Sequence, residues 1–492
     1  MLAALIPFAA VVGARWTEVP SALEGDYAQY LLHAKAIAEG RPYSDIGYIY
    51  TSMNLVGPRL QPPGWPLVLS PFVAAFGTQS PAIKGLMVLL VAAFGVTAGA
   101  YVARRFGAVA GIVTAAFVPL ALETQYATGS ALSDPLFCLL VWLALLVADA
   151  DGEPTWRRGI VLAVLCGAAL SVRVVGIALP PALVLFAFVR WRKERVKVVL
   201  PIAALFILAG VASLAVLDSV PFLDRLLRNI VRSPLVLPSF LRTYGQAVAS
   251  SALYPLWSRS ANDAYHFFMA VPLVVGAVLF YRQHFRSAVA CFFLMYAGVL
   301  FLSPVRETRY AWPLYPLTAV MFASGLLWLG IRFAPVTARR AVPGFVLGFL
   351  GLVVVSAAIN VARTPERPSM LSDAGTVALF DWLKTTNETT QMRVVFVNPR
   401  VLTLETGIPA MGIPFGEPAD VVAELDRTSI THVVMARTHV TRVAERNLAS
   451  LLSARPEMFP IVFANSSHEV HLFIARPATA TDSGAVRSPN GK

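Results

Sequence analysis

Long apolar stretches separated by short polar connections dominate the first 360 residues of the chain. A helix that crosses the roughly 30 Å hydrocarbon core of a membrane needs about 17 to 25 mostly apolar residues. The pattern therefore predicts a multi-span α-helical membrane body of about eleven transmembrane helices. The predicted spans lie near residues 1–15, 84–103, 107–122, 134–150, 159–172, 174–189, 198–217, 264–281, 287–303, 311–331 and 341–360.

The fifth and sixth stretches are separated only by Arg173 and could instead form one broken helix, so charge must decide the count. Short loops rich in Lys and Arg stay in the cytoplasm. With eleven spans, five alternate connections carry a net charge of +10 and the remaining ones +2. This alternation favours eleven spans in an integral protein of the cell or inner membrane. It places the N-terminus in the cytoplasm and the polar C-terminal part on the outer, periplasmic side.

Two predicted outer loops are long, namely residues 16–83 and residues 218–263. Within the first, the segment GDYAQYLLHAKAIAEG has apolar residues at helical spacing and ends at Gly40, which predicts a helix on the membrane surface. Further on, residues 61–77 are apolar but rich in proline and too short to span. We therefore expect a re-entrant or interfacial element there.

The polar remainder, residues 361–476, predicts a small α/β domain on the outer side. Helical spacing runs over residues 372–386, with Ser372 or Asp373 as the cap, and over residues 417–427. Strand-like segments lie at residues 392–398, 431–436 and 470–475. The last residues, 477–492, have low hydrophobicity and are predicted to be disordered.

Composition supports the division into a membrane body and a polar domain. Of the 492 residues, 57% are hydrophobic and only 14% charged, against roughly 25% charged in soluble domains, which excludes a soluble enzyme. Residues 361–492 hold thirteen basic and thirteen acidic residues, so the net charge of +12 falls entirely on the first 360. Most of this excess is a signal of membrane topology. It gives no reason to expect a nucleic-acid partner.

Charged groups beside a membrane are costly and mark candidate sites. Asp26 stands at the start of the amphipathic helix, with Gln29 three residues on. It could be an N-cap in a capping box or a general base that accepts a proton from an acceptor hydroxyl, and a cap can serve in both roles.

Four further candidate residues lie on the predicted outer side. Asp134 could cap the fourth span, because Pro135 suits a first helical turn. Arg173 has no capping role, so it either binds a phosphate or carboxylate or extends to the membrane interface. Arg306 and Arg309 could pair with Glu307 between them, or their guanidinium groups could clamp a phosphate.

The arrangement of these segments resembles the GT-C superfamily of membrane glycosyltransferases. It is most similar to the glycosyltransferase family 39 type, which includes protein O-mannosyltransferases and the aminoarabinose transferase that acts on lipid A. The resemblance rests on motif order, spacing and a common outer face over most of the chain. The motifs are GDYAQYLLHAKAIAEGRPY, QPPGWPLVLSPFVAAFG, SALSDPLF, SVRVVGIALPPALVLF and RETRYAWPLYPL, followed by an outer domain containing WLK and ETG.

The resemblance implies a site and a reaction. The family's acidic residue in the first outer loop acts as the catalytic base and falls on Asp26, with Glu24 as a second acidic candidate. Its basic residues hold the phosphate of a polyprenyl-phosphate sugar donor. The matching donor-site positions are Arg173, Arg306, Arg309, Tyr310, Arg59 and Lys84. Asp134 matches another acidic position of the family on the outer face.

The implied chemistry is an inverting transfer of a hexosyl or pentosyl group to a hydroxyl of a glycan, lipid or protein acceptor. A monophosphate donor does not strictly need a metal, but Glu24 and Asp26 leave a divalent cation open. Two alternatives also remain: a transporter or flippase for a lipid-linked saccharide, and a polymerase or ligase that consumes a pyrophosphate-linked donor. Transporters tend to show repeated halves and broken helices at mid-membrane, whereas these polar groups gather at the outer ends of the spans.

Overall fold

The computed structural model of the chain describes residues 5–14, 25–51, 61–121, 128–191, 194–216, 259–303, 307–363, 370–437 and 443–474. Its contacts divide the chain into two compact units. The helical unit comprises Met1–Ala22, Ile37–Glu39 and Arg59–Arg367, and the α/β unit comprises Leu23–Ala36, Gly40–Pro58 and Pro368–Lys492. The α/β unit thus includes two segments of the first outer loop, which the sequence-based division placed with the membrane body.

Helices make up most of the described residues among the first 363. Helix α1 (Ile6–Ala14) belongs to the helical unit, and α2 (Asp26–Ala38) lies mostly in the α/β unit. The helical unit continues with α3 (Gly64–Phe76), α4 (Pro81–Phe106), α5 (Ala108–Leu120), α6 (Asp134–Ala148), α7 (Trp156–Val172), α8 (Leu179–Arg190), α9 (Val196–Val216), α10 (Arg259–His284), α11 (Ala288–Leu302), α12 (Tyr315–Phe333) and α13 (Val342–Arg363).

Each of the eleven predicted spans overlaps one of these helices. By length and composition, two helices of the described residues could cross a membrane: Pro81–Phe106, and Thr308–Phe333, which joins a 3-10 segment to α12. Six further apolar helices have 10–17 residues. The helical character of the predicted spans is therefore confirmed, whereas the number of crossings stays a prediction. The re-entrant or interfacial segment forms α3, a helix of 13 residues.

The chain breaks its helix at Arg173. Helix α7 ends at Val172, Arg173 has an extended backbone (φ −148°, ψ 138°), and a 3-10 segment, Val174–Ala178, leads into α8. Gly176 permits this tight reversal, because a Cβ there would lie 2.7 Å from the carbonyl oxygen of Ala169. Residues 159–189 are thus two helices with Arg173 at the joint.

Helices α10 and α12 approach each other through a pair of glycines. A Cβ atom on Gly276 would lie 1.6 Å from the carbonyl oxygen of Met321, and one on Gly325 would lie 1.8 Å from that of Pro272. No side chain fits at such distances. Small residues commonly allow close backbone approach between membrane helices.

A buried carboxylate ties three helices together at their ends. Asp149, just after α6, accepts hydrogen bonds from the hydroxyl of Tyr101 in α4 and from the backbone N–H of Ala288 in α11, the latter at 3.2 Å. The guanidinium of Arg105 completes the arrangement at 2.8 Å. Asp149 therefore both pairs with a cation and satisfies a donor at the start of α11.

The α/β unit contains a five-stranded sheet with helices along the chain between most of its strands. After α13 the elements are α14 (Ala374–Thr390), β1 (Val394–Val395), α15 (Pro399–Thr406), β2 (Ala410–Met411), α16 (Pro418–Arg427), β3 (His432–Ala436), α17 (Val443–Ala454), β4 (Ile461–Ala464) and β5 (His468–Leu472). The strand order is β2-β1-β3-β5-β4. Strands β2, β1 and β3 are mutually parallel, and β5 is antiparallel to both β3 and β4.

The first outer loop extends this sheet beyond β2. Tyr48 pairs in parallel with Ala410, and the N–H of Ile49 donates to the carbonyl of Ala410 at 2.8 Å. The N–H of Ala410 donates to the carbonyl of Gly47 at 3.0 Å. Ile49 also packs against the apolar core formed by the strands and helices of the unit. Residues 47–49 therefore act as an edge strand contributed from more than 350 positions away.

The predicted α/β elements are found, with differences in extent. Helix α14 has Asp373 as its cap, which accepts from the N–H of Thr376 at 2.8 Å, and α16 and β3 match their predicted segments. The strand predicted at residues 392–398 shortens to two residues, and β5 begins two residues earlier than predicted. The predicted disordered tail 477–492 and most of the outer loop 218–263 lie outside the described residues.

Candidate functional site

A buried ion pair joins the start of α6 to the break after α7. Asp134 is the first residue of α6, and its Oδ2 atom contacts Nη1 of Arg173. The side chains are 3% and 8% exposed, respectively. Arg173 also donates to the hydroxyl of Ser133 at 3.3 Å. Ser133 occupies the N-cap position without a side-chain cap hydrogen bond, so the cap predicted from Ser133-Asp134-Pro135 gives way to a buried charge pair.

A second arginine approaches the same carboxylate. Arg309 lies in the 3-10 segment Thr308–Leu314, with Nη1 4.0 Å from Oδ2 of Asp134 and Nε 3.7 Å from Oε2 of Glu307. The expected internal pair with Glu307 therefore forms, but Arg309 reaches the buried carboxylate as well. Glu307 is 50% exposed and Arg309 only 17%.

Tyr310 connects the two guanidinium groups. The Cζ atoms of Arg173 and Arg309 lie 4.9 Å and 5.8 Å from the centroid of its ring, within the range of a cation–π interaction. The segment that carries Tyr310 is held from two sides. The hydroxyl of Tyr296 donates to the Tyr310 carbonyl at 2.8 Å, and the indole N–H of Trp142 donates to the Pro313 carbonyl at 3.0 Å.

Asp134, Arg173, Arg309 and Tyr310 together form the arginine cluster. Two guanidinium groups lie beside one buried carboxylate, and the half-exposed Glu307 lies beside Arg309. The cluster thus brings together two charged, fork-shaped hydrogen-bond donors of the kind that bind anions. Planar guanidinium groups fit phosphate oxygens in particular.

Asp26 lies in the other unit and meets a residue that the sequence did not point to. Oδ1 of Asp26 is 3.4 Å from Nη1 of Arg400, the second residue of α15. The Cζ atom of Arg400 also lies 5.5 Å from the ring centroid of Tyr48. Burial raises the pKa of Tyr48, and the charge and hydrogen bond of Arg400 act against that increase.

The residues of α2 that directly follow Asp26 are buried, whereas Asp26 itself is partly exposed. Gly25 has a φ of 60°, a left-handed conformation that suits glycine, and leads into the helix. Tyr27 is 1% exposed, and burial together with the charge of Glu405 raises the pKa of its hydroxyl. The amide nitrogen of Gln29 lies 3.4 Å from Nε2 of His33, one turn further along the helix. The side chain of Asp26 keeps 24% exposure.

The remaining predicted site residues are placed only in part. Lys84 is 4% exposed, near the start of α4. Glu24, Arg59 and Arg306 lie outside the described residues, so their roles stay predictions. Among the residues that the structure does describe, no group of three or more His, Cys, Asp or Glu side chains could hold a metal ion. A pairing of Glu24 with Asp26 around a cation is not tested.

Several solved structures resemble the chain. It matches the archaeal oligosaccharyltransferase AglB from Archaeoglobus fulgidus, in complex with an inhibitory peptide and a dolichol-phosphate. The TM-score is 0.55 and the identity 12%, over 88% of this chain and 69% of AglB. It matches ArnT from Cupriavidus metallidurans bound to undecaprenyl phosphate with a TM-score of 0.52 and 14% identity, over 96% of this chain and 98% of ArnT. Apo ArnT gives 0.51 and 17%, over 95% and 97%.

No family model matches the chain, and no curated protein matches it. At 11–17% identity the likeness concerns the fold, and it extends over most of the chain. The GT-C resemblance is thus confirmed as a structural one: the chain has the helical membrane fold of AglB and ArnT, with a small C-terminal sheet.

Proposed function

We propose that the protein is a glycosyltransferase that moves a sugar from a polyprenyl-phosphate-linked donor to an acceptor hydroxyl on the outer face of the membrane. The arginine cluster carries this proposal, because it holds two guanidinium groups beside one buried carboxylate in a chain with the fold of ArnT. ArnT has been solved with undecaprenyl phosphate bound. A lipid phosphate is the ligand whose chemistry suits both the guanidinium groups and the membrane.

The arginine cluster would act on the leaving group. When the bond between the anomeric carbon and the phosphate oxygen breaks, negative charge grows on the departing polyprenyl phosphate. Arg173 and Arg309 would stabilise that charge where water is excluded, and such preorganised donors are worth about 3–4 kcal/mol each in well-studied enzymes. Asp134 would fix the orientation of both guanidinium groups. Arg59, Lys84 and Arg306 are proposed as additional donor contacts.

Asp26 would act as the general base. The acceptor oxygen forms a bond to the anomeric carbon while its proton passes to the carboxylate of Asp26, and the lipid phosphate leaves with the electrons of the broken bond. Attack opposite the leaving group inverts the anomeric configuration. Positioned general bases contribute roughly 10²- to 10⁴-fold to a rate. We propose Glu24 as a neighbouring acidic group that assists.

The test uses the purified full chain and polyprenyl-phosphate sugars that mass spectrometry has identified in its host. Asp26→Asn is compared with Asp45→Asn, a matched control in the same loop whose carboxylate pairs with Arg41 at 3.1 Å and is 56% exposed. We expect Asp26→Asn to lose at least about 100-fold of the transfer rate and Asp45→Asn to remain near the wild-type rate. A fully active Asp26→Asn variant would show that Asp26 is not the base.

The same assay separates the alternatives. Net transfer that consumes a monophosphate-linked donor supports the proposed reaction. Consumption of a pyrophosphate-linked donor would indicate a polymerase or ligase instead. Movement of the lipid-linked sugar across vesicle membranes, with its glycosidic bond intact and no transfer, would indicate a transporter.

A further inference from the structure

We propose that Arg400 is a positioning residue for Asp26, supplied to the proposed base by the C-terminal part of the α/β unit. This inference rests on the proposed function, because it concerns how the base is held for proton transfer. It gives the predicted outer α/β domain a part in the proposed reaction.

The contact is specific on both sides. Nη1 of Arg400 lies 3.4 Å from Oδ1 of Asp26, and its guanidinium also packs over the ring of Tyr48 with 5.5 Å between Cζ and the ring centroid. The side chain of Arg400 is only 13% exposed. A solvent-exposed ion pair between mobile side chains contributes little. Here a second contact and partial burial restrict the guanidinium.

The backbone segments that carry Arg400 and Tyr48 lie close together within the α/β unit. Arg400 is followed on α15 by Val401 and Leu402, which are fully buried. Tyr48 stands in the edge strand that pairs with Ala410, directly after α15 in the chain. Gly47 sits so close to α15 that a Cβ on it would lie 2.6 Å from Cγ2 of Thr403. Arg400 and Tyr48 therefore keep a fixed relation.

The chemistry of the pair suits positioning. A carboxylate offers about four lone-pair positions, so it can accept from the guanidinium and still take the proton of an acceptor hydroxyl. The guanidinium offers hydrogen-bond donors in a fixed planar arrangement. Its part is to fix the direction of the Asp26 carboxylate, since a misplacement of about 1 Å can cost about 100-fold in rate.

The experiment measures kcat and the KM for donor in the full chain with the transfer assay described above. Arg400→Met removes the charge. Arg400→Lys keeps the charge but lacks the planar set of guanidinium hydrogen-bond donors. Arg437→Met is the matched control, because Arg437 forms an ion pair of 3.1 Å with Glu469 in the same unit. Asp26→Asn is measured in parallel, and thermal unfolding of every variant reports whether the fold is kept.

We expect Arg400→Met to lower kcat roughly 10- to 100-fold with the KM for donor and the melting temperature essentially unchanged. Arg400→Lys should recover part of the loss, and Arg437→Met should behave as wild type. If Arg400→Met does not fold, kcat of Arg400→Lys is compared with kcat of Arg437→Lys. Arg400→Lys should then show a smaller loss of kcat, and Arg437→Lys should behave as wild type.

Other outcomes separate the two proposals. An inactive Asp26→Asn beside a fully active Arg400→Met would overturn the role of Arg400 and leave the proposed function standing. A raised KM with kcat unchanged would overturn it too, because Arg400 would then bind substrate. A loss of kcat that parallels a loss of melting temperature would show a purely structural residue. A fully active Asp26→Asn would remove the base itself, and the inference about Arg400 with it.

Discussion

Asp134 is the buried carboxylate of the arginine cluster. It is the buried anion that Arg173 and Arg309 share, at the first position of α6. Removing one member of a buried pair leaves an uncompensated charge and typically costs 3–5 kcal/mol, whereas exposed pairs contribute about 0–1 kcal/mol. The same carboxylate would thus orient the donor site and stabilise the fold.

We expect Asp134→Asn to lower the free energy of unfolding by about 3–5 kcal/mol, because the buried Arg173 loses its ion pair with the Asp134 carboxylate. The matched control is Asp151→Asn, whose carboxylate is fully exposed and lies 3.7 Å from Arg104. It should change the free energy by less than about 1 kcal/mol. Thermal or denaturant unfolding in detergent checks this, and equal effects of the two variants would contradict it.

Buried histidines make the α/β unit sensitive to acid. Burial lowers the pKa of His432 and of His468, with Asp373 partly opposing the shift at His468. The unfolded chain, with a histidine pKa near 6.5, then binds more protons than the folded one below that pH. The stability of the α/β unit is therefore not reduced by these histidines above about pH 6.5. It decreases as the pH falls towards the lowered pKa values that the two histidines have in the folded unit.

The expected result is a melting temperature of the α/β unit that falls between pH 7 and pH 5, and falls less steeply in His468→Gln. Asp373 and Glu424 have lowered pKa values, so their contribution is lost only at still more acidic pH. The fluorescence of Trp382, whose ring lies 6.3 Å from that of His432, reports the transition. A flat profile in the wild-type chain would refute this assignment.

The sequence revealed those site residues whose charge is unusual among their neighbours. Asp134, Arg173 and Arg309 stand in apolar or aromatic runs, where a charge is unusual and demands a partner. Arg400 stands in a segment of mixed apolar and polar residues, where a charge is not unusual, and it lies 374 positions from Asp26. No local pattern encodes a pairing over that distance, so only the folded chain reveals it.

At the scale of elements, helices α10 and α12 depend on the absence of side chains at their crossing. The backbone oxygen of Met321 occupies the place where a Cβ of Gly276 would be, 1.6 Å away. Close approach of this kind gains dispersion contacts and leaves no tolerance for added volume.

Gly276→Ala should therefore destabilise the helical unit, by roughly 1–3 kcal/mol or more, since overpacking forces the helices apart. Gly298→Ala is the matched control in α11, because nothing lies within 4 Å of its added Cβ. That change should be neutral or stabilise by up to about 1 kcal/mol through higher helix propensity. The melting temperatures of the two variants decide the matter, and a neutral Gly276→Ala would mean that the helices are farther apart.

The elements that the sequence predicted well are those with a strong period or a clear cap. Helix α14 has both helical spacing and Asp373, and β3 is a continuous apolar run. No pattern in the sequence predicted α15, α17, β2 or β4. Strand β2 has only two residues, and the edge strand at Tyr48 pairs through backbone atoms that leave no pattern in the side chains. Such short strands are held by backbone hydrogen bonds to a neighbouring strand.

At the scale of the whole chain, the α/β unit is discontinuous in sequence. Segments of the first outer loop and the C-terminal residues share one sheet and one core. Weakening that core should therefore affect both segments together, because they belong to the same cooperative unit.

Leu425→Ala in the full chain provides the test. Leu425 is fully buried in the core of the α/β unit, and its truncation should cost about 2–5 kcal/mol. Amide hydrogen exchange should then quicken both in β1 to β3 and in residues 26–36 and 47–49. Exchange in α6 serves as the internal reference and should be unchanged. Quickening confined to residues 370–474 would mean that the loop segments are independent of the sheet.

Under the proposed function, the pairing of Asp26 with Arg400 would also set the earliest time at which the chain becomes active. Synthesis proceeds at about 5–20 residues per second, so roughly 20–75 s separate the two residues during translation. Throughout that interval the first outer loop has neither the neighbouring strand β2 nor the guanidinium of Arg400. A chain that terminates before Arg400 would carry Asp26 without the residue proposed to position it. Activity would therefore require synthesis to proceed past Arg400.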